Sequence, residues 1–110
     1  MGRFITETGT ASSVVREVST TYTAEVNDRI LADSTSGAFT ITLPVNSSLL
    51  VNDTLQVIDV TSNFATNAVT LDRNGSLIQG DAENLDLDLN GASITLMYSG
   101  ATYGWVIIGT

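Results

Sequence analysis

The feature that most limits the fold of this 110-residue chain is a succession of short segments in which apolar and polar residues alternate. In the clearest of them, residues 38–43, the apolar side chains are Phe39, Ile41 and Leu43, and Pro44 ends the segment. Alternation with a period of two is typical of a half-buried β-strand, and no window of helical length shows the 3.6-residue period. Turns rich in Gly and Asn separate the segments, so the sequence predicts an all-β domain.

Nine segments have the length and composition of a strand. They are residues 18–26, 29–33, 38–43, 54–60, 68–72, 76–79, 85–89, 92–98 and 105–108. Asn-Gly pairs at residues 74–75 and 90–91 predict tight hairpins between the segments on either side. Short strands at this spacing predict an antiparallel β-sandwich or a barrel-like, jelly-roll-like domain.

The segment at residues 54–60 departs from the alternation. Its apolar residues leave no polar face, and they are Leu55, Val57, Ile58 and Val60. A continuous apolar run of strand length is typical of a strand that is covered on both faces. We therefore expect this segment to be buried on both faces.

The chain begins with a small, polar segment, residues 1–17, that has no sustained period. Its isolated apolar residues favour an extended N-terminal arm that becomes ordered on a partner, and a disordered tail is the alternative. The β-sandwich domain then comprises residues 18–110. The arm and the aromatic residues near the last strand supply the candidate interface residues. These are Arg3, Phe4, Ile5, Val14, Val15, Tyr103 and Trp105.

The balance of charge limits the partners of the chain. The formal net charge is −8, and no basic patch is present in the sequence. An acidic chain repels phosphate backbones and anionic lipid surfaces, so we expect neither nucleic acid nor a membrane as a partner. Charged residues make up only 15 % of the chain, against about 25 % in an ordinary soluble domain. A weakly charged, hydroxyl-rich exterior is tolerated by a subunit that is covered by copies of itself or by a larger assembly, and from it we infer a homo-oligomer.

The residue types that perform most side-chain chemistry near neutral pH are missing. The chain has no histidine, cysteine or lysine, no Gly-x-Ser-x-Gly elbow and no glycine-rich phosphate loop. The acidic residues Asp81, Glu83, Asp86 and Asp88 could bind Ca²⁺, but they lack the spacing of a calcium loop and fit a solvated strand face. We therefore predict no catalytic residues, no cofactor and no metal site, and expect a protein that is not an enzyme.

Two further groups of residues have alternative interpretations. Trp105 with Tyr98 and Tyr103 could form a stacking platform for a sugar or peptide, although packing of Trp105 in the core or at a subunit interface is favoured. Arg29 and Arg73 are rare cations in an acidic body. We expect each to pair with a neighbouring carboxylate and to help set orientation across an interface, and an exposed role is the alternative.

Seven stretches from about residue 18 to residue 106 form a recognisable set. They are Tyr22-Thr23-Ala24, residues 28–33, residues 37–44, Asn52-Asp53-Thr54, Ile58-Asp59, residues 67–75 and Tyr103-Gly104-Trp105. Together they resemble a module of tailed-phage virion proteins. The Gly-Ala-Phe-Thr-Ile-Thr-Leu-Pro stretch and the Arg-Asn-Gly turn are the most specific parts of the resemblance. It implies an all-β module, usually trimeric, on tail fibres or on the capsid exterior, with no catalytic residues.

The absence of a repetitive shaft favours one member of this class. A free-standing module with a short arm is similar to a capsid decoration (cement) protein. Such a protein is expected on the capsid exterior of the virion, bound as a homotrimer to the major capsid protein and stabilising the shell. A tail-fibre or baseplate module, and a carbohydrate-binding adhesin domain, are the alternatives.

Overall fold

The computed structural model describes residues 13–110 and contains nine strands, one short 3-10 turn and no α-helix in that range. The elements are β1 (Val14–Val18), β2 (Tyr22–Thr23), β3 (Asp28–Ala32), β4 (Phe39–Thr42), η1 (Asn46–Ser48), β5 (Thr54–Asp59), β6 (Val69–Asp72), β7 (Leu85–Leu87), β8 (Ser93–Tyr98) and β9 (Trp105–Gly109). The prediction of a chain composed mostly of β-structure is confirmed. Within the same residues, no helix has the length and apolar character needed to cross a membrane.

The strands form two open sheets. The large sheet has the order β1-β3-β5-β8-β9, and the small sheet has the order β2-β4-β6-β7. From β1 to β6 the chain alternates between the sheets, so that each of β3 to β6 lies parallel to the strand two places before it. This part of the chain is therefore a coil of parallel strands. The last three strands add antiparallel pairs, β6–β7 in the small sheet and β5–β8 and β8–β9 in the large sheet.

Four of the seven strand pairs are parallel, so the predicted antiparallel architecture is wrong for the first two thirds of the fold. A jelly-roll consists of antiparallel Greek keys, which parallel pairs do not form. The cause of the error is physical, because alternation shows which face of a strand is buried and not which strand lies beside it.

The two predicted hairpins show this error directly. At residues 90–91 the turn joins β7 to β8, but β7 pairs with β6 in one sheet and β8 with β5 in the other. Contacts from outside the hairpin hold this turn, since the Gly91 N–H donates to the Asp59 carboxylate at 3.0 Å and Asn90 Oδ1 accepts from the Ala65 N–H at 2.8 Å. Between the other turn, at residues 74–75, and the start of β7, the chain forms isolated bridges at Ile78 and no strand.

One hydrophobic core contains residues from both sheets. Ile30, Val57 and Leu96 enter it from the large sheet, and Ile41 and Leu71 enter it from the small sheet. Each fully buried side chain of this kind contributes roughly 1.5–3 kcal/mol relative to an exposed one. The inward faces of both sheets thus form the core, and the outward faces of both sheets are not part of it.

The structure also bears on the predicted N-terminal arm. Residues 1–12 lie outside the described residues. Residues 14–17 belong to β1, which pairs in parallel with β3 from Val14 opposite Asp28 to Val18 opposite Ala32. The last part of the predicted arm is therefore an edge strand of the large sheet.

Candidate interaction surface

The outward side chains of the large sheet form rows that cross four of its strands, because residues paired across a ladder point to the same face. The first row is Val15, Arg29, Gln56 and Thr95. The second row is Glu17, Leu31, Ile58 and Ser93. We call this surface the outer face of the large sheet.

Apolar side chains are prominent on the outer face of the large sheet and at its margins. Val15 on β1 is 61 % exposed, Ile108 on β9 is 55 % exposed, and Val60 just after β5 is 48 % exposed. Leu31 and Ile58 lie between them in the second row and are half-buried. Exposed apolar side chains grouped in this way mark interaction sites more often than single exposed ones do.

The small sheet presents a different outward face. One row consists of Thr40, Thr70 and Asp86, and the Thr70 hydroxyl donates to the Asp86 carboxylate at 2.9 Å. Thr42 and Asp72 form the next row. Hydroxyl and carboxylate groups are well solvated, so this face is suited to water, and the two outward faces of the molecule differ in chemistry.

The position of β5 explains why the outer face of the large sheet is unusual. Parallel sheets are normally covered on both faces, and the sequence predicts two-sided burial for this strand. The inward residues Leu55 and Val57 are buried, while the outward residues Gln56 and Ile58 stay half-buried. Within residues 13–110, Val15, Glu17 and Arg29 are exposed on this face and Val60 and Ile108 are exposed at its margins, so no other element covers these positions.

A hollow of about 390 Å³ lies on this face where β1 and β3 end. Its lining consists of Glu17, Val18, Ser19, Leu31, Asp33 and Val60. Hydrogen bonds from the side chain and backbone of Thr35, the latter at 2.9 Å, lower the pKa of Asp33 from its ordinary value of 3.8. The hollow therefore combines carboxylates with apolar walls, which suits a cation on an aliphatic stem.

The arginines of the described residues have different environments. Arg16 makes ion pairs, with its Nε 3.1 Å from Asp28 Oδ1, and Arg73 donates to the Ser76 carbonyl at 2.8 Å. Arg29 is exposed on β3, and no carboxylate among residues 13–110 lies within 4 Å of it. The predicted pairing of Arg29 and Arg73 with neighbouring carboxylates is not found within this range, which leaves Arg29 available on the outer face.

A polar network that the sequence did not predict covers the core beside β1. The buried carboxylate of Asp28 accepts hydrogen bonds from Arg16 Nε, from the Tyr22 hydroxyl at 2.7 Å and from the Glu25 N–H at 2.9 Å. Burial, followed by this hydrogen bond to Asp28, raises the pKa of Tyr22 to about 12. Arg16 is an inward-facing charge on the edge strand β1, and such charges discourage unwanted strand pairing. The available signal was an aspartate at an inward position of β3, in line with Ile30.

The arm residues among the candidate interface residues are only partly described. Arg3, Phe4 and Ile5 lie outside the described residues. Val14 is 42 % exposed and Val15 is exposed beside it on β1. The structure therefore brings Val15 to the outer face of the large sheet, in the same row as Arg29.

The aromatic candidates separate. Tyr103 is 61 % exposed in the loop between β8 and β9. Trp105 is fully buried and packs edge-to-face against Tyr98, with 5.7 Å between the ring centroids. Trp105 is thus a core residue, and none of its surface is available for a stacking platform or a subunit contact.

The acidic residues considered as calcium ligands are solvated. Asp81, Glu83, Asp86 and Asp88 are all exposed, and Asp86 accepts a hydrogen bond from Thr70. Among residues 13–110, no group of three or more His, Cys, Asp or Glu residues is arranged to hold a metal ion.

In comparison with known proteins, no protein-family profile and no curated protein sequence matches the chain.

Proposed function

We propose that this protein is a structural component of a tailed-phage virion. In this proposal it is a capsid decoration (cement) protein that binds the major capsid protein on the capsid exterior as a homotrimer. The observation that carries the proposal is the open, largely uncharged outer face of the large sheet. The resemblance of residues 18–106 to virion modules supports the phage context.

The energetics of association favour an extended contact through this face. Bringing subunits together costs roughly 4–15 kcal/mol in lost freedom, and one fully buried aliphatic side chain returns only about 1.5–3 kcal/mol. Several apolar side chains per copy are therefore required. The outer face and its margins supply Val15, Leu31, Ile58, Val60 and Ile108.

The remaining surfaces suit the other contacts of a decoration protein. In this proposal the two sheets form a sandwich module, and the Thr- and Asp-bearing face of the small sheet remains in water. The predicted arm precedes β1 at the edge of the large sheet and supplies a contact with the major capsid protein. Extended segments bind other proteins by pairing with exposed strands, and three arms on one trimer act together.

Two measurements test this function. Light scattering should give a mass about three times the 11.6 kDa of the chain, and a stable monomer at micromolar concentration would contradict the homotrimer. Gold-labelled antibodies against the protein should decorate the heads of intact phage particles. Particles without label would contradict the virion location.

A tail-fibre or baseplate module is the second candidate, because the coil of parallel strands from β1 to β6 favours it. Coils of this kind lengthen by adding turns, which is the principle of elongated β-solenoids. The same labelling experiment separates the two candidates, since label on tails instead of heads would support the second.

A further inference from the structure

We infer that the outer face of the large sheet docks against a neighbouring copy of the chain, with Arg29 of one copy seated in the hollow beside Glu17 of the next. This inference rests on the proposed homo-oligomer and names its contact surface. The occupant of the face is therefore a second copy of this chain.

Charge complementarity within a single face supports this choice. In the two rows of the outer face, Arg29 is the only cation and Glu17 the only anion, and both lie near the β1 edge. Arg29 and Glu17 lie on neighbouring strands but not directly opposite each other, because Arg29 pairs with Val15 and Glu17 pairs with Leu31. Among residues 13–110 neither side chain takes part in an ion pair, so each copy offers a cation and a carboxylate to a neighbour.

The residues that line the hollow suit an arginine side chain. Leu31 and Val60 provide apolar walls for the methylene groups, and Glu17 and Asp33 provide carboxylates for the guanidinium group. Arginine is suited to such contacts because its planar donors bind carboxylates in fixed geometry while its stem packs on apolar surface. Arg16 is engaged with Asp28 and Arg73 with Ser76, so Arg29 is the described arginine that fits this role.

Symmetry allows the pairing to close. If Arg29 of each copy enters the hollow of the next, every copy contributes one cation and one hollow, and a ring of three leaves none unused. Copies of an acidic chain repel one another, and an ion pair at the contact offsets this repulsion and fixes the register of the sheets.

A charge exchange tests the inference. Arg29→Glu and Glu17→Arg should each weaken self-association about tenfold or more, because like charges then meet across the contact. The double variant should regain most of the affinity, because it restores opposite charges. Dissociation constants from sedimentation equilibrium measure this, and melting temperatures check that each variant folds.

Arg73→Glu is the matched control, because it changes the net charge by the same amount at a position outside the outer face. It should leave self-association unchanged. If both single variants form a trimer as the wild type does, the inference is wrong and the proposed function stays intact. Failure of the double variant to regain self-association would also overturn the inference. A monomeric wild type would instead overturn the proposed homotrimer. If the single variants remain trimeric but no longer bind capsids, the outer face contacts the shell, and docking between copies through this face is excluded.

Discussion

Asp59, at the end of β5, organises two loops through one buried carboxylate. It accepts hydrogen bonds from the backbone N–H groups of Asn63 at 3.2 Å, Phe64 at 3.1 Å and Gly91 at 3.0 Å. Burial acts to raise the pKa of Asp59, but the hydrogen bonds from Gly91, Phe64 and Asn63 together outweigh it and lower the pKa below 3.8. The carboxylate therefore stabilises the fold in its charged form.

Replacing this carboxylate should be costly. Asp59→Ala should lower the free energy of unfolding by roughly 2–4 kcal/mol, because N–H groups that include the buried Phe64 lose their acceptor. Urea denaturation measures the loss. Asp88→Ala, at an exposed position, is the control and should stay within about 0.5 kcal/mol of the wild type.

The same residue predicts a dependence on acid. A folded-state pKa below 3.8 means that the stabilisation is present above pH 3.8 and is lost as the pH falls further. The wild type should therefore lose more stability below about pH 4 than Asp59→Ala does. Equal acid dependence of the two proteins would contradict this role.

The sequence did not reveal this role of Asp59. The residue follows an apolar strand, where a polar residue ordinarily marks the beginning of a loop. One of its partners, Gly91, is 32 residues further along the chain. Local patterns do not contain such a contact, since it depends on the packing of β5 beside β8.

At the scale of the element, strand positions were predictable and strand partners were not. The predicted segments at residues 38–43, 54–60 and 92–98 correspond closely to β4, β5 and β8. The segment at residues 18–26 was wrong, because the chain forms β1 before it and only the two-residue β2 within it. The strand β1 lacks alternation, since Val14 and Val15 are both exposed at the edge of the sheet.

The attachment of β1 depends on the network around Asp28 and should weaken in alkali. The pKa of Tyr22 is raised from 10.0 to about 12, so the stabilisation is complete below pH 10 and is lost as the pH rises towards 12. The free energy of unfolding should fall in this window, and tyrosinate absorbance should show one tyrosine ionising late.

Two variants make this measurement specific. Tyr22→Phe removes both the ionising group and the hydrogen bond to Asp28, so the late ionisation should disappear and the stability should fall less steeply between pH 10 and 12. Tyr103→Phe, at an exposed position, should keep the late ionisation. Loss of the late ionisation in Tyr103→Phe would show that it belongs to Tyr103 and not to Tyr22.

At the scale of the whole molecule, the two outward faces have opposite chemistry. The low charge and hydroxyl-rich composition predict a subunit that is covered by copies of itself or by a larger assembly, and they do not say which face is covered. The structure places Thr40 and Thr70 in a row with Asp86 on the small sheet, whereas the exposed Val15 and Ile108 lie on the large sheet with the exposed Val60 beside it. The difference was not predictable, because it depends on how the strands are shared between two sheets.

This contrast predicts an asymmetric response to added charge. Ile58→Asp puts a carboxylate in the middle of the outer face of the large sheet and should reduce the mass measured by light scattering to that of the monomer. Thr40→Asp puts the same group on the small sheet and should leave the oligomer intact. Retention of the oligomer by Ile58→Asp, with an unchanged melting temperature, would exclude this face as the contact.

The coil of parallel strands has a consequence for synthesis of the chain. The strands β1 to β4 leave the ribosome first, but two-stranded pairs have too little buried surface to persist alone. The large sheet gains its antiparallel ladder only when β8 and β9 join β5. We therefore expect β1 to β4 to remain unfolded until β8 and β9 have been synthesised, so that the two sheets fold as one unit.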